Sequence, residues 1–76
     1  MSPGLPVITS RDVIKVAKKL GFQFDRQSGS HAVYIHLEKK LRVVIPIHPG
    51  KDIKPKTLKG IIDDMEVTVE EFRELL

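Results

Sequence analysis

The sequence predicts an α+β domain in which a helix, a three-stranded antiparallel sheet and a second helix follow one another, with a short C-terminal helix to close the chain. Three observations carry that prediction. Apolar residues recur at three- and four-residue intervals over residues 10–20 and again over 55–65, the repeat of a helix with one buried face. Residues 22–47 hold three runs of alternating or β-branched residues whose connections are too short for crossovers, so the strands must be antiparallel neighbours. Seventy-six residues without a cysteine form one domain, residues 1–76, with a small core held by packing alone.

Residues 1–7, with Pro3, Gly4 and Pro6, read as a flexible arm. Thr9 is placed as a helix N-cap: Asp12 lies three residues on, and Ile8 and Val13 have the spacing of a hydrophobic staple. The helix then runs from Ser10 to Leu20 with Val13, Ile14, Ala17 and Leu20 on its apolar face, and Gly21 supplies the left-handed residue that ends it. Strands follow over 22–27, 30–37 and 41–47. If Ser28-Gly29 is the first turn, Phe24 opposes Val33, Phe22 opposes Ile35 and Arg26 opposes His31. With Lys39 at the centre of the second turn, Leu37 meets Leu41 and Ile35 meets Val43 on the same buried face. The other face then carries Ser30, Tyr34, His36, Arg42 and His48. Strict alternation puts His31 on the apolar face, so its access to solvent must come from its position at the strand's end.

Pro55 opens the second helix, where its missing N–H is harmless, and Leu58, Ile61, Ile62 and Met65 form its apolar stripe. Thr68 and Glu71 are spaced as a capping box for the last helix, with Val67 and Phe72 as its staple. Two helices over one face of a three-stranded meander is the layout of double-stranded RNA-binding domains.

Residues 1–60 hold twelve Lys and Arg against four Asp and Glu, while residues 61–76 hold one against six. A basic body of this kind suits a polyanion such as nucleic acid. No apolar run approaches the ~20 residues of a membrane span, and the N-terminus lacks the pattern of a secretory signal. A soluble, cytoplasmic protein without a membrane partner is expected.

The residues most suggestive of chemistry are Gly29-Ser30-His31 at a tight turn, with Tyr34 three positions later. A turn glycine can hold the next residues at a sheet edge, and histidine titrates near neutral pH, which suits it to proton transfer. Three histidines at spacings of five and twelve, with no cysteine, match no recognisable metal site, and no cofactor is implied.

Leu20-Gly21-Phe22, Gly29-Ser30-His31 with Tyr34, Pro46-Ile47-His48, the run Ile53 to Ile62, and Val67-Thr68-Val69-Glu70-Glu71-Phe72 follow one another in order. Together these pieces resemble the HicA toxins, also called the YcfA-like family, small RNA-cleaving partners of HicB antitoxins. The resemblance implies a metal-independent mRNA endoribonuclease with His31 as its catalytic residue, held in check by a HicB-like protein. RNA supplies its own nucleophile, so cleavage needs a base for the 2′-hydroxyl, a charge stabiliser at phosphorus and an acid for the leaving oxygen. His48 is the first candidate acid, followed by Lys51 and His36, and Arg26 is a candidate phosphate contact. Ser30, Tyr34, Lys39, Lys40, Arg42, Lys54 and Lys56 are candidate RNA contacts, Tyr34 by stacking or simply by packing. A non-catalytic RNA-binding module and a protein-interaction adaptor are the competing readings.

Overall fold

The first helix begins where local hydrogen bonding dictates. In the computed structural model, which describes residues 4–76, helix α1 spans Ser10–Lys19, and the Thr9 N–H and hydroxyl both donate to the Asp12 carboxylate at 3.2 Å. Ile8 and Val13, the predicted staple, are both buried. The helix ends in a pair of reversed bonds, Phe22 N–H to the Ala17 carbonyl (2.9 Å) and Gly21 N–H to that of Lys18 (3.1 Å), a Schellman closure that requires a left-handed residue. Gly21 supplies it at φ +98°, and a Cβ there would lie 2.9 Å from His36 Nε2. Gly21→Ala is therefore expected to destabilise the fold by roughly 1–2 kcal/mol from the backbone alone, read as a Tm lower by about 4–8 °C per kcal/mol.

Three strands follow, β1 (Gln23–Ser28), β2 (His31–His36) and β3 (Leu41–Pro46), in the spatial order β1-β2-β3, all antiparallel. Helices α2 (Pro55–Asp64) and α3 (Val69–Glu74) complete the chain. The order of elements is the one predicted, and one cluster of buried side chains joins the helices to one face of the sheet. Val16, Val43, Ile45, Leu58, Ile62 and Phe72 lie at its centre, each fully enclosed. Among the described residues no helix is long and apolar enough to cross a membrane. Of the expected N-terminal arm, residues 1–3 lie outside the described residues. Leu5 packs against the core, and the Gly4 carbonyl accepts a hydrogen bond from Arg73 at 3.4 Å.

The strand register differs from the sequence expectation, and the difference reverses a face. The first turn is Gly29-Ser30, flanked by the pair Ser28 and His31, with Gly29 at φ +58°. The second is a four-residue loop, Leu37 to Lys40, closed by His36 opposite Leu41, with Lys40 in the left-handed region at φ 55°. The first shift moves the β1–β2 pairs by two residues and keeps their faces matched, but the second moves the β2–β3 pairs by one, which carries the β2 side chains to the opposite face relative to β3. Ala32, Tyr34 and His36 therefore face the helices together with Leu41, Val43 and Ile45. His31, Val33 and Ile35 share the open face with Arg42, Val44 and Pro46. Leu37, expected in the core, is in the loop and 68% exposed.

The turn at Gly29-Ser30 sets Arg26 opposite Val33 and not His31, and a bulge at Asp25 then adds one residue to β1, so Phe24 opposes Tyr34 and not Val33. Phe24 keeps its expected face, edge-on to Tyr34 with ring centres 5.7 Å apart, yet is 53% exposed. The helices pack over β3, leaving the outer part of β1 uncovered.

The terminal capping box forms as expected: the Thr68 N–H donates to Glu71 Oε1 at 2.9 Å and the Glu71 N–H to Thr68 Oγ1 at 3.0 Å. Backbone and side-chain hydrogen bonds with Thr68 hold the Glu71 carboxyl below its usual value, with a weaker attraction from Lys39. A lowered carboxylate pKa stabilises the fold above the unfolded-state value, and that contribution disappears as pH falls through the folded one. The Tm difference between the wild type and Thr68→Ala is thus expected to be largest at neutral pH and to narrow on acidification.

Candidate functional site

The register places His31 where chemistry is accessible. It is the first residue of β2, exposed, and its strand partner on β3 is Pro46. Gly29 at the first central position of a two-residue hairpin turn sets this up, because that position favours the positive φ that only glycine adopts freely. Ser30 extends the ladder through its carbonyl, which accepts from the Ile47 N–H at 2.6 Å.

Beyond β3 the chain makes a tight turn, His48-Pro49-Gly50-Lys51. Proline at its second position, Gly50 at φ +76° at its third and a Lys51 N–H to His48 carbonyl bond of 3.1 Å fit a type II turn. This brings the ends of the turn, His48 and Lys51, to one side of the cleft. The Ile53 N–H donates to the Ile8 carbonyl at 2.9 Å, Asp52 bridges to Thr9, and Ile53 is buried, so the loop is pinned to the segment before α1. Helix α2 then opens at Lys54-Pro55. Its first turn carries no side-chain cap and no acid, so its N–H groups and the positive end of its dipole stay open to an anion.

These segments enclose an open cleft of about 550 Å³. His31 stands on one wall with Val44 and Pro46; His48, Lys51 and Lys54 stand around it, with Thr57 from the first turn of α2. Among the described residues Asp52 is the one acid that lines it. Asp52 and Thr57 were not among the candidate site residues read from the sequence. The Pro49-Gly50 dipeptide and Pro55 were the available signals, since they fix the turn and the helix start that carry both residues to the cleft.

The other candidates are dispersed. Arg26 is exposed on the open face, lies outside the cleft and pairs with Asp25 at 3.8 Å. Lys39 and Lys40 occupy the β2–β3 loop, at the end of the hairpin opposite His31, about 17 Å along the strand. Arg42 shares the open face with His31 but lies near that far end too, opposite Ile35. Lys56 is exposed in the first turn of α2, outside the cleft lining.

Tyr34 and His36 are not on the open face. Tyr34 is 6% exposed within the core, so it packs and does not present its ring for stacking. His36 is half-buried against Phe22, edge-on at 5.3 Å, and its Nδ1 accepts the Lys39 N–H at 3.1 Å. The open-face placement expected of both fails for one reason, the one-residue shift in the β2–β3 register, and of the two roles read for Tyr34 packing is the one its burial fits. Among the described residues no group of three histidine or acidic side chains is placed to hold a metal ion.

A family model described as the HicA toxin of bacterial toxin-antitoxin systems matches residues 10–67, a stretch that begins with α1 and contains every residue lining the cleft. No curated protein matches the chain.

Proposed function

Since the chain belongs to the HicA toxin family of bacterial toxin–antitoxin systems, we propose that it is an endoribonuclease that cleaves single-stranded mRNA, with His31 as its central proton-transfer residue. The observation that carries this reading is the sharing of one cleft by His31 and His48, with Lys51 and Lys54 beside them. Histidine near neutral pH is present in both protonation forms, so a pair can divide the two proton roles. His31 takes the proton of a ribose 2′-hydroxyl, whose oxygen attacks the adjacent phosphorus. The bond from phosphorus to the 5′-oxygen breaks, and His48 gives that oxygen its proton. The products are a 2′,3′-cyclic phosphate and a 5′-hydroxyl end. Lys51, Lys54 and the open first turn of α2 offset the charge that grows on the phosphoryl oxygens. This route requires no metal ion or cofactor.

Activity in the cell would be restrained by a HicB-like antitoxin, most simply by covering His31 and the lysines around it. The test is to incubate purified protein with RNA, with and without chelator, beside His31→Ala. Retained binding with lost cleavage supports the enzyme. Binding without cleavage by either protein makes it an RNA-binding module, and no salt-sensitive RNA affinity at all makes it an adaptor.

Electrostatics supplies a separate expectation. Lys51→Ala with Lys54→Ala should weaken binding of single-stranded RNA of any sequence. It should also flatten the dependence of log affinity on log salt by about 1.4, since each lost phosphate contact removes about 0.7. An unchanged slope would place the RNA elsewhere.

A further inference from the structure

The two edges of the sheet are not alike. Strand β1 is interrupted by the bulge at Asp25 and carries the charged pair Asp25 and Arg26, devices that discourage another strand from adding to it. Strand β3 runs through all six residues without a register break, and Arg42 is its single charged residue. Its bonding pattern fixes what its outer side offers. The Ile47 N–H bond to Ser30 makes Ile47, and by alternation Ile45, Val43 and Leu41, the residues whose backbone groups turn toward β2. Arg42, Val44 and Pro46 turn theirs outward, two N–H donors and three carbonyls in a row. Among the described residues no strand pairs with them.

An apolar, bulge-free edge without lysine or an internal proline is a template for strand addition. This one adjoins the cleft, because Val44 and Pro46 form the wall beside His31. We propose that the outer edge of β3 is the docking site of an extended segment of the antitoxin, which adds as a fourth strand and so closes the cleft over His31. Charge complementarity defines the segment's chemistry: apolar where it passes Val44, with carboxylates toward Arg42 at one end and Lys51 and Lys54 at the other. The inference uses the antitoxin partner that family membership implies, and does not depend on RNA cleavage.

The experiment uses His31→Ala protein co-purified with its antitoxin, so that catalytic competence does not enter the readout. Backbone amide exchange is followed in the free chain and in the complex. In the free chain the Arg42 and Val44 amides should exchange rapidly while Val43 and Ile45 are protected. In the complex Arg42 and Val44 should become protected, at least tenfold slower. Val44→Pro, which removes an outward donor and leaves the β2 ladder intact, should weaken the complex at least tenfold. Rapid exchange at both positions within a formed complex overturns the proposal. So does protection of both in the free chain that grows with its concentration, which would assign the edge to a second copy. If Val44→Pro does not fold, the exchange comparison on the otherwise unaltered strand decides alone.

Discussion

Replacing His31 with alanine is expected to reduce RNA cleavage by roughly 10²–10⁴-fold, the usual contribution of a positioned general acid or base, while leaving RNA affinity and melting temperature nearly unchanged. The separation of the two effects follows from where His31 sits. It is exposed at the start of β2 and belongs to no part of the core. Substitutions at such positions alter stability by no more than about 0.5 kcal/mol. Phosphate contacts from Lys51 and Lys54 would survive the change, so binding persists when proton transfer is lost. The comparison is a single-turnover cleavage rate beside a binding isotherm on the same RNA. Cleavage by His31→Ala at the wild-type rate would remove this residue from the chemistry and defeat the proposed function. A parallel loss of rate in His48→Ala with affinity retained would identify the second proton carrier.

Tyr34→Ala should have the largest effect on stability, about 3 kcal/mol or more, since truncating a buried aromatic leaves a cavity that the neighbours fill only in part. A domain of this size holds only about 4–11 kcal/mol in total, so the variant should melt far earlier or fail to fold. Tyr34→Phe keeps the ring volume beneath the helices and should stay close to the wild type in both Tm and RNA cleavage. A tyrosine that stacked on a base would behave otherwise: its alanine variant would fold normally and lose affinity. Thermal melts and RNA titrations of the two variants distinguish these outcomes, and the position of Tyr34 at 6% exposure favours packing.

Much of the architecture was legible because it rests on short-range chemistry. Thr9 with Asp12, Gly21 after the first helix, Pro55 at the start of the second and Thr68 with Glu71 are local signals, and each marks the boundary it was read to mark. The buried residues of β3, Val43 and Ile45, also follow their alternation. The phase of β2 was not legible. Residues 32–36 read Ala-Val-Tyr-Ile-His, where Val33 and Ile35 outweigh Ala32 and Tyr34 in hydrophobicity, so the pattern favours the wrong face. Val33 is itself only 6% exposed although it lies on the open side, because the central strand is shielded by its neighbours.

The amino-acid sequence by itself determined the order of elements, their caps and the family to which the chain belongs, since all three reside in contiguous residues and their spacing. Only the tertiary structure decided the strand register, and with it which side chains meet at the cleft. One residue more or fewer in a turn, or one bulge at Asp25, inverts a face at little local cost. The choice is made by what the helices can cover: Tyr34 beneath them, His36 against Gly21, and His31 consequently turned outward to meet His48 and the lysines across the sheet's end.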